Sequence, residues 1–96
     1  MQTGFSAYIE PDLEAIADYI ANDNPTRALT FIQEIRKKVQ VIAHNPYLYQ
    51  LRPEIAPNAR LAVVGRYILL FQIKNETVRF ERILYGGIDL VELLQE

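Results

Sequence analysis

The sequence contains no cysteine and only one histidine, His44, among its 96 residues. Without cysteine the chain forms no disulfide and offers no thiolate to a metal ion or to nucleophilic catalysis. One imidazole cannot build a histidine-based metal site, and the scattered carboxylates show no ligand spacing. We therefore expect neither a metal nor a cofactor. The lack of cysteine also agrees with a cytoplasmic location.

Long hydrophobic runs are also missing. No stretch of about 18 apolar residues occurs, so we expect no membrane span. Residues 1–4 show no basic region followed by an apolar stretch, so we expect no secretory signal. The sequence has no glycine-rich phosphate loop and no Ser-His-Asp set, so no signature of this kind assigns an activity.

Half of the residues are hydrophobic and the formal net charge is −2. Such a composition is typical of a folded chain, and the length predicts one domain spanning residues 1–96. The small net charge gives no general case for nucleic-acid binding. The charges are nevertheless uneven, because residues 1–24 contain no Lys or Arg and residues 52–82 contain six of the ten basic residues. The second half therefore presents either a local basic face or a mixed solvated surface.

A helical hairpin is predicted for the first half of the chain. Pro11 suits the first turn of one helix, whose apolar residues recur at helical spacing from Leu13 to Ile20. Asn24-Pro25 supplies the N-cap and the first residue of a second helix. One apolar face continues along that helix to Ile42, and Asn45-Pro46 ends it.

Three consecutive strands are predicted for the second half, at residues 60–65, 67–73 and 78–85. Gly65-Arg66 and residues 74–77 are the expected turns. A further short strand is expected within residues 3–9, and three prolines mark residues 44–58 as a connector. The predicted fold class is α+β, with an N-terminal helical hairpin packed on a small antiparallel β-sheet.

Arg82 breaks the pattern of the last predicted strand. Strict alternation places Val78, Phe80 and Leu84 on one face, and Arg82 falls on the same side. A buried arginine needs a partner, so two interpretations stay open. Arg82 either forms an internal ion pair or lies at the floor of a functional groove.

Four other side chains in the strand region are candidates for a contact surface with RNA or protein. Arginine binds phosphate groups and tyrosine stacks on planar groups. The alternative is an ordinary sheet edge whose charges discourage strand pairing. These candidates are Arg60, Arg66, Tyr67 and Tyr85.

The chain resembles toxins of the RelE/ParE superfamily over most of residues 12–90. The resemblance rests on a DL..I..YIA.DNP opening from Asp12 to Pro25, an NP…RPE connector from Asn45 to Glu54, and the strands from Arg60 to Leu90. RelE-type toxins cut mRNA on the ribosome, and two of their arginine positions correspond here to Ile68 and Ile88. ParE-like toxins inhibit DNA gyrase without that catalytic set, and the RYILLF and RILYGG segments look closer to them.

This resemblance implies the toxin of a type II toxin–antitoxin module. The toxin would inhibit DNA gyrase by protein contact, without catalysis, and would be neutralised by a cognate antitoxin that alone contacts DNA. Two alternatives stay open: a RelE-type mRNA endonuclease using Arg60, Arg66, Arg82 and Tyr85, or a degenerate toxin that acts only as antitoxin-binding partner and co-repressor. The target-binding candidates are Arg60, Arg66, Tyr67, Arg82 and Tyr85, and the antitoxin-binding candidates are Ile16, Ile20, Phe31 and Ile35.

Overall fold

A computed structural model describes residues 1–87. Both helices pack against one face of a four-stranded sheet with the strand order β1-β4-β3-β2, which confirms the predicted α+β class. A single 3-10 turn at Pro46–Leu48 lies in the connector after the helices. The elements are strand β1 (Gln2–Phe5), helices α1 (Ile9–Ala21) and α2 (Pro25–His44), and strands β2 (Ala59–Val64), β3 (Tyr67–Lys74) and β4 (Thr77–Tyr85).

The start of α2 follows from its sequence. The Asn24 side chain accepts a hydrogen bond from the Arg27 backbone N–H at 3.0 Å, and Pro25 occupies the first helical position. This N-cap satisfies one of the free N–H groups that every helix leaves in its first turn. Helix α1 begins at Ile9, two residues before Pro11, which therefore lies within the first turn as predicted. Among residues 1–87, no helix is long and apolar enough to cross a membrane.

Strand β1 makes the sheet mixed. It pairs in parallel with β4, from Gln2 opposite Thr77 to Phe5 opposite Phe80. The β2–β3–β4 meander is antiparallel, as predicted. A parallel pair needs a long crossover connection, and here both helices and the first two strands of the meander lie between β1 and β4.

The main core lies between the helices and the sheet. Phe71 and Phe80 are fully buried at its centre, with ring centroids 5.7 Å apart. Burying one phenylalanine contributes about 1.5–3 kcal/mol. A smaller cluster of Ile55, Ala59 and Leu70 covers the opposite face of β3. Strand β3 is therefore covered on both sides, which explains its nearly continuous apolar sequence.

A β-bulge interrupts the expected alternation of side chains in β4. Leu70 is opposite Arg82 while the next residue, Phe71, is opposite Phe80, so Glu81 has no direct partner on β3. The extra residue turns each later side chain of β4 to the opposite face of the sheet from the one that strict alternation predicts. As a result Ile83, rather than Leu84, joins Phe80 in the main core. The prediction that Val78, Phe80, Arg82 and Leu84 share one face was wrong for this reason.

Asp12 closes the edge of β4 where β1 stops. Its Oδ2 accepts hydrogen bonds from the Ile83 backbone N–H at 3.0 Å and from Arg82 Nε at 2.9 Å, and its Oδ1 accepts from Arg82 Nη2 at 3.1 Å. The side chains of Asp12 and Arg82 are 13% and 28% exposed. Hydrogen bonding to Asp12 raises the pKa of the Arg82 guanidinium against the opposing effect of burial. The guanidinium also lies 4.7 Å from the centre of the Tyr8 ring. Arg82 thus forms the internal ion pair that was one of its two interpretations.

Replacing Asp12 by asparagine should destabilise the fold by about 1–3 kcal/mol, because one amide oxygen cannot accept all three hydrogen bonds and Arg82 loses its counter-charge. Urea unfolding followed by circular dichroism measures this change. Glu14→Gln, at an exposed position of the same helix, is the matched control and should shift stability by less than about 0.5 kcal/mol. Equal stability of the two variants would contradict the assigned role.

The turn between β3 and β4 holds Glu76 in a left-handed conformation. Asn75 and Glu76 have φ angles of 51° and 61°, between the paired residues Lys74 and Thr77. Two positive φ angles are typical of a type I′ hairpin turn, whose second residue is usually glycine. A non-glycine residue in this conformation costs about 1–2 kcal/mol.

Glu76→Gly should therefore raise the unfolding free energy by about 0.5–1 kcal/mol after the entropy cost of glycine is deducted. The urea midpoint measures the gain. Glu76→Ala keeps a Cβ and should bring no such gain. A glycine variant no more stable than the alanine variant would show that the turn is unstrained.

Candidate functional site

An open groove lies where the turn of the helical hairpin meets the β2–β3 turn. Its volume is about 590 Å³. The last turn of α1, the first two turns of α2, the β2–β3 turn and the paired ends of β3 and β4 all contribute to it. We call it the aromatic groove, and its lining residues are Tyr19, Ile20, Arg27, Phe31, Gly65, Arg66, Tyr67 and Tyr85.

Gly65 allows the β2–β3 turn to approach α2 closely. Its φ angle is 59°, a conformation that favours glycine. A Cβ at this position would lie 3.0 Å from Cε1 of Phe31. Glycine therefore meets two demands here, one from the turn and one from the aromatic ring packed against it. The same turn places Arg66 next to Tyr67.

Aromatic side chains form a continuous row along the groove. Tyr67 and Tyr85 are directly opposite on β3 and β4, with ring centroids 5.7 Å apart at an interplanar angle of 82°. Phe31 and Tyr67 follow at 5.6 Å and 50°. Edge-to-face and tilted pairs of this kind contribute about 0.5–1.5 kcal/mol each beyond area burial. The row is thus a fixed surface rather than a set of independent side chains.

Tyr67 is a neutral hydrogen-bonding group in this setting. Burial raises the pKa of its phenol, and the neighbouring Tyr19 and Tyr85 add to the increase. A tyrosine ordinarily ionises near pH 10, so a raised pKa keeps the hydroxyl protonated throughout the physiological range. Tyr67 therefore has no anionic form available for base catalysis at neutral pH.

The rim of the groove is cationic. Arg27 lies 5.1 Å from the centre of the Phe31 ring and forms an ion pair with Glu34 at 2.9 Å. Arg66 is exposed in the turn, and its backbone carbonyl accepts a hydrogen bond from the Gly86 N–H at 2.8 Å. Among the described residues, no acidic side chain lines the groove. An apolar floor with a cationic rim suits an apolar or aromatic anchor that has a carboxylate beside it.

Three of the five target-binding candidates come together in this groove, namely Arg66, Tyr67 and Tyr85. Arg60 is opposite Phe71 on β3, four residues from Tyr67, which corresponds to about 13 Å along a strand. Its guanidinium donates to the Tyr49 carbonyl and lies 5.3 Å from the centre of the Tyr47 ring. Arg82 is held by Asp12. Arg60 and Arg82 therefore do not share a site with the other three.

The antitoxin-binding candidates are mostly core residues. Ile16, Phe31 and Ile35 are 5%, 3% and 1% exposed and belong to the main core. Ile20 is only partly buried. Ile20 and Phe31 border the aromatic groove, whereas Ile35 borders a second cavity of about 200 Å³ between the helices and the sheet. Their contact with an antitoxin stays a prediction.

Three residues that line the groove were not predicted as site residues from the sequence, namely Tyr19, Arg27 and Gly65. The side chain of Tyr19 is 76% exposed. Arg27 and Phe31 are four residues apart, the spacing that places an arginine over an aromatic ring on a helix. This contact could therefore have been predicted from the sequence. Nothing in the sequence alone indicates that Tyr19 and Arg27 meet the β2–β3 turn.

Only one of the two positions that correspond to RelE-type arginines lies within the described residues. Ile68 is a buried residue of β3 with 8% exposure, whereas Ile88 lies outside the described residues. Residues 1–87 contain no group of three His, Asp or Glu side chains placed to hold a metal ion.

Comparisons with known proteins agree with this architecture. The model of the family described as ParE toxin of type II toxin–antitoxin system, parDE, matches residues 5–90. A solved chain titled "Chromosomal ParDE TA system from P. aeruginosa" has a TM-score of 0.76 and 24% sequence identity, covering 88% of this chain and 95% of that one. A search of curated proteins gives no significant match. The structural likeness supports the fold, and the family match extends over most of the sequence. The chain belongs to the ParE toxin family of type II toxin–antitoxin systems.

Proposed function

We propose that this ParE-family toxin inhibits DNA gyrase by protein contact through the aromatic groove. The observation that carries the proposal is that Arg66, Tyr67 and Tyr85 line one groove in a chain of this family. Residues 1–96 would act as one domain in the cytoplasm, without cofactor or metal. It requires no covalent step, because binding alone blocks the target.

The groove offers the features of an interface hot spot. Such sites combine a well-packed apolar pocket with tyrosine and arginine side chains that exclude water around an anchor residue. Tyr85 is 46% exposed and therefore available for contact. Tyr67 is held between Phe31 and Tyr85, so little side-chain entropy is lost when a partner binds. Arg66 supplies a charge to pair with a carboxylate on gyrase.

A cognate antitoxin would neutralise the toxin by covering the same end of the molecule. An amphipathic helix laid in a groove is a common recognition mode for apolar surfaces. Ile20 and Phe31 border the groove on the helical side and would take the apolar residues of such a helix. In this scheme DNA is contacted only through the antitoxin, in agreement with the chain's net charge of −2.

The geometry does not favour the endonuclease alternative. Metal-independent RNA cleavage needs a base and cations gathered around one phosphate. Arg60 lies about 13 Å along the sheet from the Tyr67 end, and Arg82 is engaged by Asp12. Two of the four residues required for a rearranged site therefore do not share the groove with Arg66 and Tyr85.

The gyrase proposal is tested by supercoiling assays titrated with the purified chain. The wild-type chain should inhibit supercoiling in a dose-dependent manner, and antitoxin should reverse the inhibition. Arg66→Ala and Tyr85→Ala should each raise the half-inhibitory concentration at least about tenfold, the effect of losing roughly 1.4 kcal/mol of binding free energy.

Arg79→Ala is the matched control for this assay, because Arg79 is exposed on β4 with Glu81 as its ion-pair partner and does not line the groove. It should inhibit like the wild type. A folded chain that leaves gyrase unaffected would contradict the proposal. Cleavage of ribosome-bound mRNA by the same chain would instead support the endonuclease alternative, and harmless expression with tight antitoxin binding would support the degenerate toxin.

Ile20→Ser should weaken antitoxin binding at least about tenfold, because it places a hydroxyl at the apolar wall of the groove. Isothermal titration calorimetry with the cognate antitoxin measures the dissociation constant. Leu29→Ser is the matched control, since Leu29 is 64% exposed on α2 and does not line the groove. Equal affinities for the two variants would place antitoxin binding on another surface.

A further inference from the structure

A second exposed surface lies at the far end of α2 from the aromatic groove. Phe31 borders the groove, and α2 continues from there for about 20 Å to its end at His44. In the connector that follows, Tyr47, Leu48 and Leu51 are 60%, 78% and 46% exposed. Single exposed apolar residues are ordinary on a protein surface, whereas a cluster of them marks a contact site.

Arg60 joins this cluster to the sheet. It pairs with Leu51 in an antiparallel bridge. Its guanidinium donates to the Tyr49 carbonyl and lies 5.3 Å from the centre of the Tyr47 ring. Lys38, on α2, places its Nζ 5.4 Å from the centre of the Tyr49 ring. Two cations are thus held beside the exposed apolar side chains. We call this surface the connector patch, and its residues are Lys38, Tyr47, Leu48, Leu51 and Arg60.

The charge of the connector patch is not neutralised within the described part of the chain. Among residues 1–87, neither Lys38 nor Arg60 forms an ion pair. Residues 36–60 contain five Lys or Arg and a single acidic residue, Glu54, which is paired with Arg52. The whole chain nevertheless has a net charge of −2. The patch is therefore a local excess of positive charge that a carboxylate would complement.

We propose that the connector patch binds an acidic polypeptide segment of a partner protein, in which aliphatic side chains lie next to carboxylates. The carboxylates would pair with Lys38 and Arg60, and the aliphatic side chains would cover Leu48 and Leu51. Both cations are already held against tyrosine rings, so little side-chain entropy is lost when they bind.

The side chains of the patch suit a polypeptide better than a nucleic acid. Single-stranded nucleic acids bind to aromatic rings that are open for stacking. Here Arg60 lies over the Tyr47 ring, and the Tyr49 ring packs edge-on against Phe71 with centroids 5.7 Å apart. The most exposed side chain of the patch, Leu48, is aliphatic. The net negative charge of the chain also opposes the long-range approach of a polyanion.

Binding at the connector patch leaves the aromatic groove open. Arg60 lies about 13 Å along the sheet from the Tyr67 end, and no residue of the patch lines the groove. One chain can therefore hold an acidic partner at the patch and a second partner at the groove. The proposal does not rest on gyrase inhibition, because it concerns a separate surface.

Selection from a random displayed peptide library tests the chemistry of the partner. The folded full-length chain is immobilised, and peptides that bind equally well to a Lys38→Glu/Leu48→Ser double variant are discarded. The peptides that remain should be enriched in Asp or Glu next to Leu, Ile or Val. Enrichment in basic residues, or the absence of any peptide that distinguishes the two chains, would overturn the proposal.

Fluorescence anisotropy with the most enriched peptide then locates the contact. Lys38→Glu and Leu48→Ser should each raise the dissociation constant at least about fivefold, because one reverses a paired charge and the other removes an apolar contact. Arg66→Glu and Leu29→Ser are the matched controls, since both positions are exposed and lie outside the patch. Both controls should bind the peptide like the wild type. Circular dichroism confirms that each variant is folded.

Two results would overturn the proposal at this stage. Equal weakening by Lys38→Glu and Arg66→Glu would show that the peptide follows overall charge or binds in the groove. Tighter, Lys38-dependent binding of a single-stranded oligonucleotide of equal charge, or of phosphatidylserine vesicles, would assign the patch to a nucleic acid or to a membrane surface instead. No gyrase is present in these measurements, so failure here is distinct from failure of the proposed function.

Discussion

The carboxylate of Asp12 joins the helical layer to the sheet at the position where the sheet would otherwise have an open edge. Strand β1 ends opposite Phe80, and beyond that residue no strand within residues 1–87 neighbours β4 on this side. There the Asp12 carboxylate accepts hydrogen bonds from both the Ile83 backbone N–H and the Arg82 guanidinium. Because this contact fixes the first turn of α1, it also sets where the last turn lies. Tyr19 is seven residues further on, about 10 Å along the helix axis, at the aromatic groove.

The bulge at Glu81 makes the Asp12 contact and the core compatible. Without the extra residue, strict alternation would direct Arg82 to the side of Phe80, which is fully buried in the main core. With it, Arg82 moves to the opposite side and Ile83 fills the core position. The sheet thus buries a continuous apolar face while one arginine stays close enough to bind the helix. An arginine in the apolar core would have been far more costly.

Local features of the chain were predictable from the sequence, because each has a local physical cause. Asn24-Pro25 specifies a helix start through capping, and Gly65-Arg66 specifies a tight turn through the freedom of glycine. The alternation of β4 failed at Glu81 because a bulge depends on how two strands meet, not on the composition of one. The parallel pairing of β1 was unpredicted for the same reason. The groove depends on contacts between elements that are distant in sequence. Residue type therefore predicted only some of the residues that line it.

Hydrogen–deuterium exchange of the toxin, with and without gyrase, tests most directly whether the aromatic groove is the contact surface. We expect slower exchange on gyrase binding in peptides that contain Gly65–Tyr67 and Tyr85–Gly87, and unchanged exchange around Arg60. Protection confined to the Arg60 end of the sheet would contradict the assignment of the groove. Unchanged exchange everywhere, under conditions where a folded toxin is confirmed, would contradict the gyrase target itself.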